Sequence, residues 1–349
     1  LHFQQTKNFK QMKYIKIIKT ILLVLLVGFF AFYFWARQSN YNVTEYSRII
    51  EFSNDSDRVI GDTFSVITYN IGYLSGMTNN LAMDRPRDLL DSNLKKAISL
   101  LKYKNPDIIA FQEIDFNSSR TYSINQLEQL GLNANYEYGA EVVNWDKQYV
   151  PFPYWPIRYN FGRMLSGQAI LSHSTIISNN RIVLPKPESN PFYYNDFYID
   201  RLAQLVWVET LQDSMLFINV HFEAWDGPTR EFQAEIVLDI YKKYEQDYPI
   251  ILLGDFNCTP PFAKNAFDEK TIDIILNHQS ISMVIEKTEY LSSPETYFTF
   301  DSEKPYEKID YIFYNNKYLA CLSAEVLNEA DEISDHLPVR SVFAFIPTQ

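Results

Sequence analysis

Residues 20–36, TILLVLLVGFFAFYFWA, run for seventeen residues without a charge, behind Lys7, Lys10, Lys13, Lys16 and Lys19 and ahead of Arg37. Such a run has no polar face to turn to water, which sets it apart from the amphipathic helices of a soluble domain. As a helix rising about 1.5 Å per residue it spans roughly 25 Å, the short end of a bilayer crossing, with Lys19 and Arg37 able to reach the two interfaces. A cleavable signal peptide is the rival reading. Its cleavage site wants small residues, whereas this run ends in bulky FYFW, which favours an uncleaved anchor. Five flanking lysines against one arginine keep the N-terminus cytoplasmic and place everything after residue 40 outside the cytosol, on the periplasmic or extracellular side. The chain is thereby divided into a basic cytoplasmic segment (1–19), a transmembrane anchor (20–36), a polar linker (37–62) and a folded domain (63–349). It begins with Leu, and Met12 is an alternative start.

The anchor region holds six of the 31 Lys and Arg and no Asp or Glu, so the rest of the chain carries 25 positive against 43 negative side chains. That surface repels polyanions at long range and shows no basic nucleic-acid footprint, although a local cationic cleft or a bound metal would offset the field. Two cysteines, Cys258 and Cys321, are too few for a disulfide framework or a thiolate zinc site, and whether they pair stays open.

From residue 63 onward, short β-branched or aromatic runs recur: FSVITYN, DIIAFQE, QAILSHS, LAQLVWVE, SMLFINVHF, PIILLGDFN, IDYIFYN, YLACLSAEV and LPVRSVFAFI. Amphipathic segments lie between some of them. Leu90, Leu94, Ala97, Ile98 and Leu101 follow helical spacing, as do Phe232, Ile236, Val237 and Ile240 after GPT. Strands 201–209 and 214–222 adjoin without a helix, so an all-parallel doubly wound sheet fits poorly. Two sheets packed face to face with helices outside use all the pieces. The stretch 145–161, WDKQYVPFPYWPIRYNF, is rich in aromatics and broken by three prolines, which exclude a regular helix or central strand. It packs over its own domain, rims a substrate site or dips into a membrane interface.

The apolar runs share an ending. SVITYN closes at Asn70, DIIAFQE at Glu113, LFINVH at His221, and IILLGDFN at Asp255 and Asn257, while Asp335 and His336 open the last strand. One acid at a strand end is ordinarily an Asx-turn or helix cap. Several together suggest one site, because burying unpaired carboxylates beside apolar strands is expensive unless a cation or hydrogen bonds compensate. The oxygen donors suit a hard cation, Mg²⁺ with Mn²⁺ or Ca²⁺ as alternatives, and no HExxH zinc motif is present. Two histidines beside such a metal point to phosphoester hydrolysis.

In order, TYNIG, FQEID, SGQAILS, NVHF, GDFN, KIDYIF and SDHLPV resemble the endonuclease/exonuclease/phosphatase superfamily over about residues 63–346, and QEIDFNSSRTYSINQ looks like its bacterial membrane-associated branch. The resemblance implies an α+β fold, a four-layer α/β/β/α sandwich of two packed mixed sheets flanked by helices. It also implies roles. Glu113 is the principal metal carboxylate, assisted by Asn70, with Asp335 as a further metal or network ligand. His336 activates or orients the attacking water, and Asp310 fixes its tautomer. Asp255 and Asn257 position water and phosphoryl oxygens, and His221 lies near the phosphate or leaving group, the division of acid and base roles staying open. Gln168 stands where many members carry Asn, and Lys308 replaces a frequent Arg. Arg120 and Arg201 are candidate phosphate contacts, while His173 fits a core or surface role better than the site.

Three functions compete. The leading one is a membrane-tethered, metal-dependent phosphodiesterase acting on lipid or lipid-like substrates. Second is a nuclease, since the superfamily runs the same chemistry on nucleic acid. Third is a non-catalytic binding module, against which the full set of expected ligands argues. No protein partner is inferred.

Overall fold

The computed structural model describes residues 2–52 and 58–347, with side chains from residue 11 onward. Residues 53–57 of the expected linker lie outside the described residues. An N-terminal helix α1 (His2–Ala36) precedes strands β1 (Ser47–Glu51) and β2 (Thr63–Asn70), helix α2 (Arg87–Lys104), β3 (Ile108–Asp115) and α3 (Gln126–Ala134). There follow β4 (Tyr138–Val150), β5 (Gly162–Ser172), β6 (Ile176–Leu184), the short α4 (Phe192–Asn195), β7 (Arg201–Glu209), β8 (Ser214–His221), α5 (Gly227–Tyr244) and β9 (Ile250–Asp255). The chain closes with α6 (Thr271–Leu276), β10 (Ile281–Met283), α7 (Lys287–Ser292), β11 (Asp310–Asn315), β12 (Leu319–Val326) and β13 (Val339–Phe345).

The strands form two mixed sheets, one ordered β1-β4-β5-β3-β2-β13-β12 and the other β10-β11-β9-β8-β7-β6. Each contains one parallel pair, β2 with β3 and β8 with β9, and is otherwise antiparallel. In both cases a long helix, α2 or α5, lies between the two strands, as a parallel crossover requires. Leu90, Ala97 and Leu101 of α2 and Leu127 and Leu130 of α3 are buried with the seven-stranded sheet. Ala234, Val237 and Tyr241 of α5 join Ile272 and Ile275 of α6 against the other sheet. The result is the expected sandwich of two sheets with helices outside.

The interface between the sheets is not purely apolar. Gln112 Nε2 donates to Asn219 Oδ1 (2.7 Å) and Thr68 Oγ1 (3.1 Å), Asn219 Nδ2 donates to Gln204 Oε1 (3.0 Å), and Gln168 Nε2 donates to the Asn219 carbonyl (2.9 Å). These side chains are fully buried, so each hydrogen bond offsets a large desolvation penalty and fixes how the sheets register.

Two expectations change. The segment expected to be a tether contributes β1, which pairs with β4 from Ser47↔Val142 to Glu51↔Tyr138 and sets Arg48 Nε against Glu141 (2.7 Å). Its polar composition reflects an edge strand whose outer face meets solvent. The aromatic stretch starts as strand, because β4 continues to Val150 opposite Gly162 of β5, and only then do Pro151, Pro153 and Pro156 turn it into a loop.

Helix α1 is long and apolar enough to cross a membrane, from Gln11 to Ala36. Cys258 is buried and Cys321 partly buried, and both are free thiols.

Candidate active site

Strand direction decides which side chains meet. Parallel β2 and β3 bring Asn70 level with Gln112, and parallel β8 and β9 bring His221 level with Asp255. Antiparallel neighbours return to the same edge: Asp310, which begins β11, pairs with Asp255, and β13 begins just after His336. The sequence-predicted Asn70, Glu113, His221, Asp255, Asn257, Asp310, Asp335 and His336 thus share one crest of the sandwich.

His336 and Asp310 form a dyad, with Nδ1 and Oδ2 2.9 Å apart. The other ring nitrogen, Nε2, lies 3.4 Å from Asn70 Nδ2 and 3.9 Å from Asp255 Oδ2. Asp255 accepts from Asn70 Nδ2 (2.9 Å) and from the Asn257 backbone N–H (2.8 Å). Ser334 Oγ bonds the Asn70 carbonyl (2.8 Å) and accepts from the His336 N–H (3.2 Å), tying the last strand to β2.

Glu113 reaches the crest through a break in its strand. The β3–β5 register shifts between Phe111 and Ile114, and Glu113 has φ +51°. A left-handed conformation in a non-glycine residue is strained, and such bulges re-aim side chains at functional edges. Glu113 Oε2 accepts from Asn79 Nδ2 (2.9 Å), and the same amide lies 3.3 Å from both Asp335 oxygens. Asn79 was not anticipated. It sits in a turn, 34 residues before Glu113, with no local pattern to mark it.

His221 Nε2 stands 2.7 Å from Arg201 Nη1, 3.5 Å from Asp255 Oδ2 and 3.9 Å from Glu113 Oε1. Arg201 in turn approaches Glu223 (3.6 Å), whose carboxylate accepts from the Tyr198 hydroxyl at 2.7 and 2.9 Å. Tyr198 carries no strand-end signature, and Glu223, two residues past the end of β8, is not among the expected residues.

The crest holds more negative charge than it can neutralise. Burial pushes Asp255 up to about 7, against the pull of His336 and with the push of Asp310. Glu113 is raised by burial and by Asp335. Burial alone would lower His336, yet Asp310, Asp255 and Asp335 together push it up to about 10. Burial, Arg201 and His336 drive His221 well below the usual imidazole range. Asp310 Oδ1 is buried with no hydrogen-bond partner. Acids left short of donors in this way fit a divalent cation. Asp255, Asp310 and His336 offer ligand atoms within 4.8 Å of one another, a group capable of coordinating one.

Other expected residues lie elsewhere. Gln168 belongs to the seam between the sheets, bonded to the Asn219 carbonyl (2.9 Å) and fully buried, because its position on β5 faces the opposing sheet. Arg120 is buried against Asp115 (Nε to Oδ2 3.0 Å) and stacked 3.3 Å over the Tyr73 ring, its fork consumed by that carboxylate. Arg201, by contrast, lines the cleft over the crest. Lys308 is buried, donates to the Asp310 carbonyl (2.6 Å) and is lowered by burial to about 7. His173, against Glu137 and the Tyr136 ring, follows the end of β5 that pairs with Ile108, the far end of β3 from Glu113.

Residues 67–336 match the model of the Endonuclease/Exonuclease/phosphatase family. No curated protein matches the chain. Among solved structures, an endonuclease/exonuclease/phosphatase from Beutenbergia cavernae is similar at 16% identity over 81% of this chain and 72% of its own, with a TM-score of 0.57. The human Nocturnin catalytic domain with bound sulfate is similar at 16% identity over 88% of this chain and 100% of its own, TM-score 0.55. A mannosyl-6-phosphatase from Bacteroides thetaiotaomicron is similar at 15% identity over 81% of this chain and 100% of its own, TM-score 0.55. The structural likenesses show the fold, and the family match covers most of the chain, which belongs to that family.

Proposed function

We propose that this member of the Endonuclease/Exonuclease/phosphatase family is a divalent-metal-dependent phosphodiesterase, tethered to a membrane by α1 with its catalytic domain outside the cytosol. The single observation that carries the reading is the His336–Asp310 dyad (2.9 Å) set beside Asp255 and Asn70 in a crest with surplus negative charge. Asp310 holds Nδ1, so Nε2 faces the cleft and orients the attacking water; it would take that water's proton once a bound cation offset the acids that push the ring up to about 10. The new bond forms between water oxygen and phosphorus as the ester P–O bond breaks, and the proton reaches the leaving oxygen by way of solvent. Asn257 and Arg201 offer N–H donors to the phosphoryl oxygens, and His221 faces the leaving group.

Mg²⁺, with Mn²⁺ or Ca²⁺ as alternatives, would supply the positive charge that stabilises the phosphoryl oxygens as negative charge builds on them. Glu113, Asp335 and Asn70 are the residues proposed to hold it. The Asn79 amide lying between the two acids supports this. Such a placement leaves the His336–Asp310 dyad free to move a proton, whereas a cation on Asp255, Asp310 and His336 would engage the base itself.

A lipid or lipid-like substrate is favoured by a cleft of about 1330 Å³ over the crest whose walls are largely aromatic. A second reading, a nuclease acting on DNA or RNA, draws on the family itself, whose description names endonucleases and exonucleases. Side-by-side assays with Mg²⁺ on phospholipid vesicles and on plasmid DNA separate the two. Release of phosphorylated product from vesicles, lost in His336→Ala, is expected, and cleavage of plasmid with vesicles untouched would install the nuclease.

A further inference from the structure

The cleft over the crest has Glu113, Asp255 and His336 on its floor, and one of its walls is the apolar N-terminal helix: Phe29, Phe30, Phe32 and Tyr33 of α1 line the same space. The helix is not loosely attached there. Arg37 Nη1 pairs with Asp196 (2.8 Å), and the Tyr33 hydroxyl donates to the same carboxylate. Phe32 packs edge-on against Tyr149 (5.6 Å between centroids) and Tyr33 against Phe197 (5.7 Å). The Gln148 N–H donates to the Gln38 carbonyl (2.8 Å), which ties the chain leaving the helix to β4.

The cleft is also bounded by Phe152 and Tyr154, on the proline-broken loop, and by Phe192 and Tyr193 of α4. Phe29 and Phe192 are 61% and 74% exposed, and Trp225 at the rim is 86% exposed. A group of large exposed aromatics around one opening is more apolar surface than a soluble enzyme leaves facing water. Trp, Tyr and Phe in this arrangement suit the boundary between headgroups and acyl chains. The apolar stretch of α1 runs through Phe29 to Ala36, so this opening sits where the helix would leave the bilayer.

We infer that the last turns of α1 form a wall of the substrate site, and that the occupant of the aromatic cleft is the hydrocarbon chain of a membrane phosphodiester entering sideways from the bilayer. The phosphate then lies over Glu113 and His336 while the chain stays between α1 and the 152–154 loop. This rests on the reading of the crest as a phosphodiesterase and of α1 as an anchor. Continuity decides the occupant: one cavity joins acids that suit a phosphate-bound cation to a helix face that suits lipid.

The test uses the full chain in detergent micelles with Mg²⁺ and a series of p-nitrophenyl alkyl phosphodiesters from ethyl to octyl. In the wild type, kcat/KM is expected to rise about tenfold or more along the series, a fraction of what burying the added methylenes can yield. The double variant Phe29→Ala/Phe30→Ala and the single variant Phe152→Ala should flatten that rise, the octyl ester losing most of its advantage over the ethyl ester. Leu26→Ala, on α1 but away from the cleft, should keep it. A wild type indifferent to chain length, or a rise that survives in the wall variants, overturns the inference and leaves the phosphodiesterase reading standing. Failure to hydrolyse even the ethyl ester removes that reading, and the wall with it. Preference for plasmid DNA over the octyl ester, lost in the wall variants, would overturn the inference and assign the aromatics to base stacking instead.

Discussion

Glu113 and Asp115 stand two residues apart at the end of β3, and the fold treats them oppositely. Asp115 accepts from Ser118 Oγ (2.8 Å), Thr121 Oγ1 (2.9 Å), and Arg120 Nε and Nη2 (both 3.0 Å), with no solvent exposure. Its charge is matched, its lone pairs are filled, and Arg120 is clamped between it and the Tyr73 ring. Glu113 has one amide, shared with Asp335, and a strained backbone that lifts it toward the cleft. Burial of an acid therefore does not separate the two. A deficit of donors does, because an under-satisfied carboxylate has coordination left to offer a cation.

The largest effect that could break this contrast is on turnover. Glu113→Gln and His336→Ala should each lower phosphodiester hydrolysis by about 10²–10⁴-fold, the range of a lost electrostatic or proton-transfer contribution. Glu113→Gln should also raise the Mg²⁺ concentration needed for half-activity, whereas His336→Ala should leave it nearly unchanged. Thermal melts in the absence of metal should show Glu113→Gln at least as stable as the wild type, since it removes an uncompensated charge. A marked loss of stability in that variant would put Glu113 in the same class as Asp115.

Asp115→Asn should act on the other quantity. Leaving Arg120 buried without its counter-charge costs about 3–5 kcal/mol, read as a drop in the urea midpoint, while activity per folded molecule stays within a few-fold. A large fall in kcat for the folded fraction would mean that the Arg120 cluster reaches the substrate after all.

A smaller effect sharpens where the cation sits. Free Mg²⁺ at about a hundred times its dissociation constant should stabilise the wild type by about 2.7 kcal/mol, and Glu113→Gln should lose most of that gain at the same concentration. Stabilisation that survives Glu113→Gln but vanishes in Asp310→Asn would move the ion to the group formed by Asp255, Asp310 and His336.

The same contrast explains which parts of the molecule the sequence discloses. Strand ends at Asn70, Glu113, His221 and Asp255 are legible because each follows an apolar run that must be buried, and strand order alone then gathers them. Two sheets with outer helices follow from the periodicities and from the absence of a helix between β7 and β8. Gln168 misleads because a polar side chain in an apolar run reads alike whether it faces the crest or the opposing sheet, and Arg120 because a basic residue in a polar loop reads alike whether it meets a phosphate or a buried acid. The strand β1 is hidden because an edge strand needs no apolar alternation, and Asn79, Tyr198 and Glu223 because turns and loops deliver them from unpatterned sequence. The wall formed by α1 is a tertiary fact, which a run of apolar residues cannot reveal.

Asn79 supplies the smallest and most discriminating test. Its amide lies 2.9 Å from Glu113 and 3.3 Å from each Asp335 oxygen, in the place between two acids that a cation would favour. Asn79→Ala should therefore destabilise the metal-free protein by about 1 kcal/mol, the worth of a lost hydrogen bond to a charged partner in a partly exposed site. Saturating Mg²⁺ should erase much of the difference, because the ion takes over the charge that the amide was holding. Equal destabilisation with and without Mg²⁺, measured by urea titration of both proteins, would make Asn79 a fixed support like Thr121 beside Asp115, and Glu113 a satisfied acid rather than a waiting ligand.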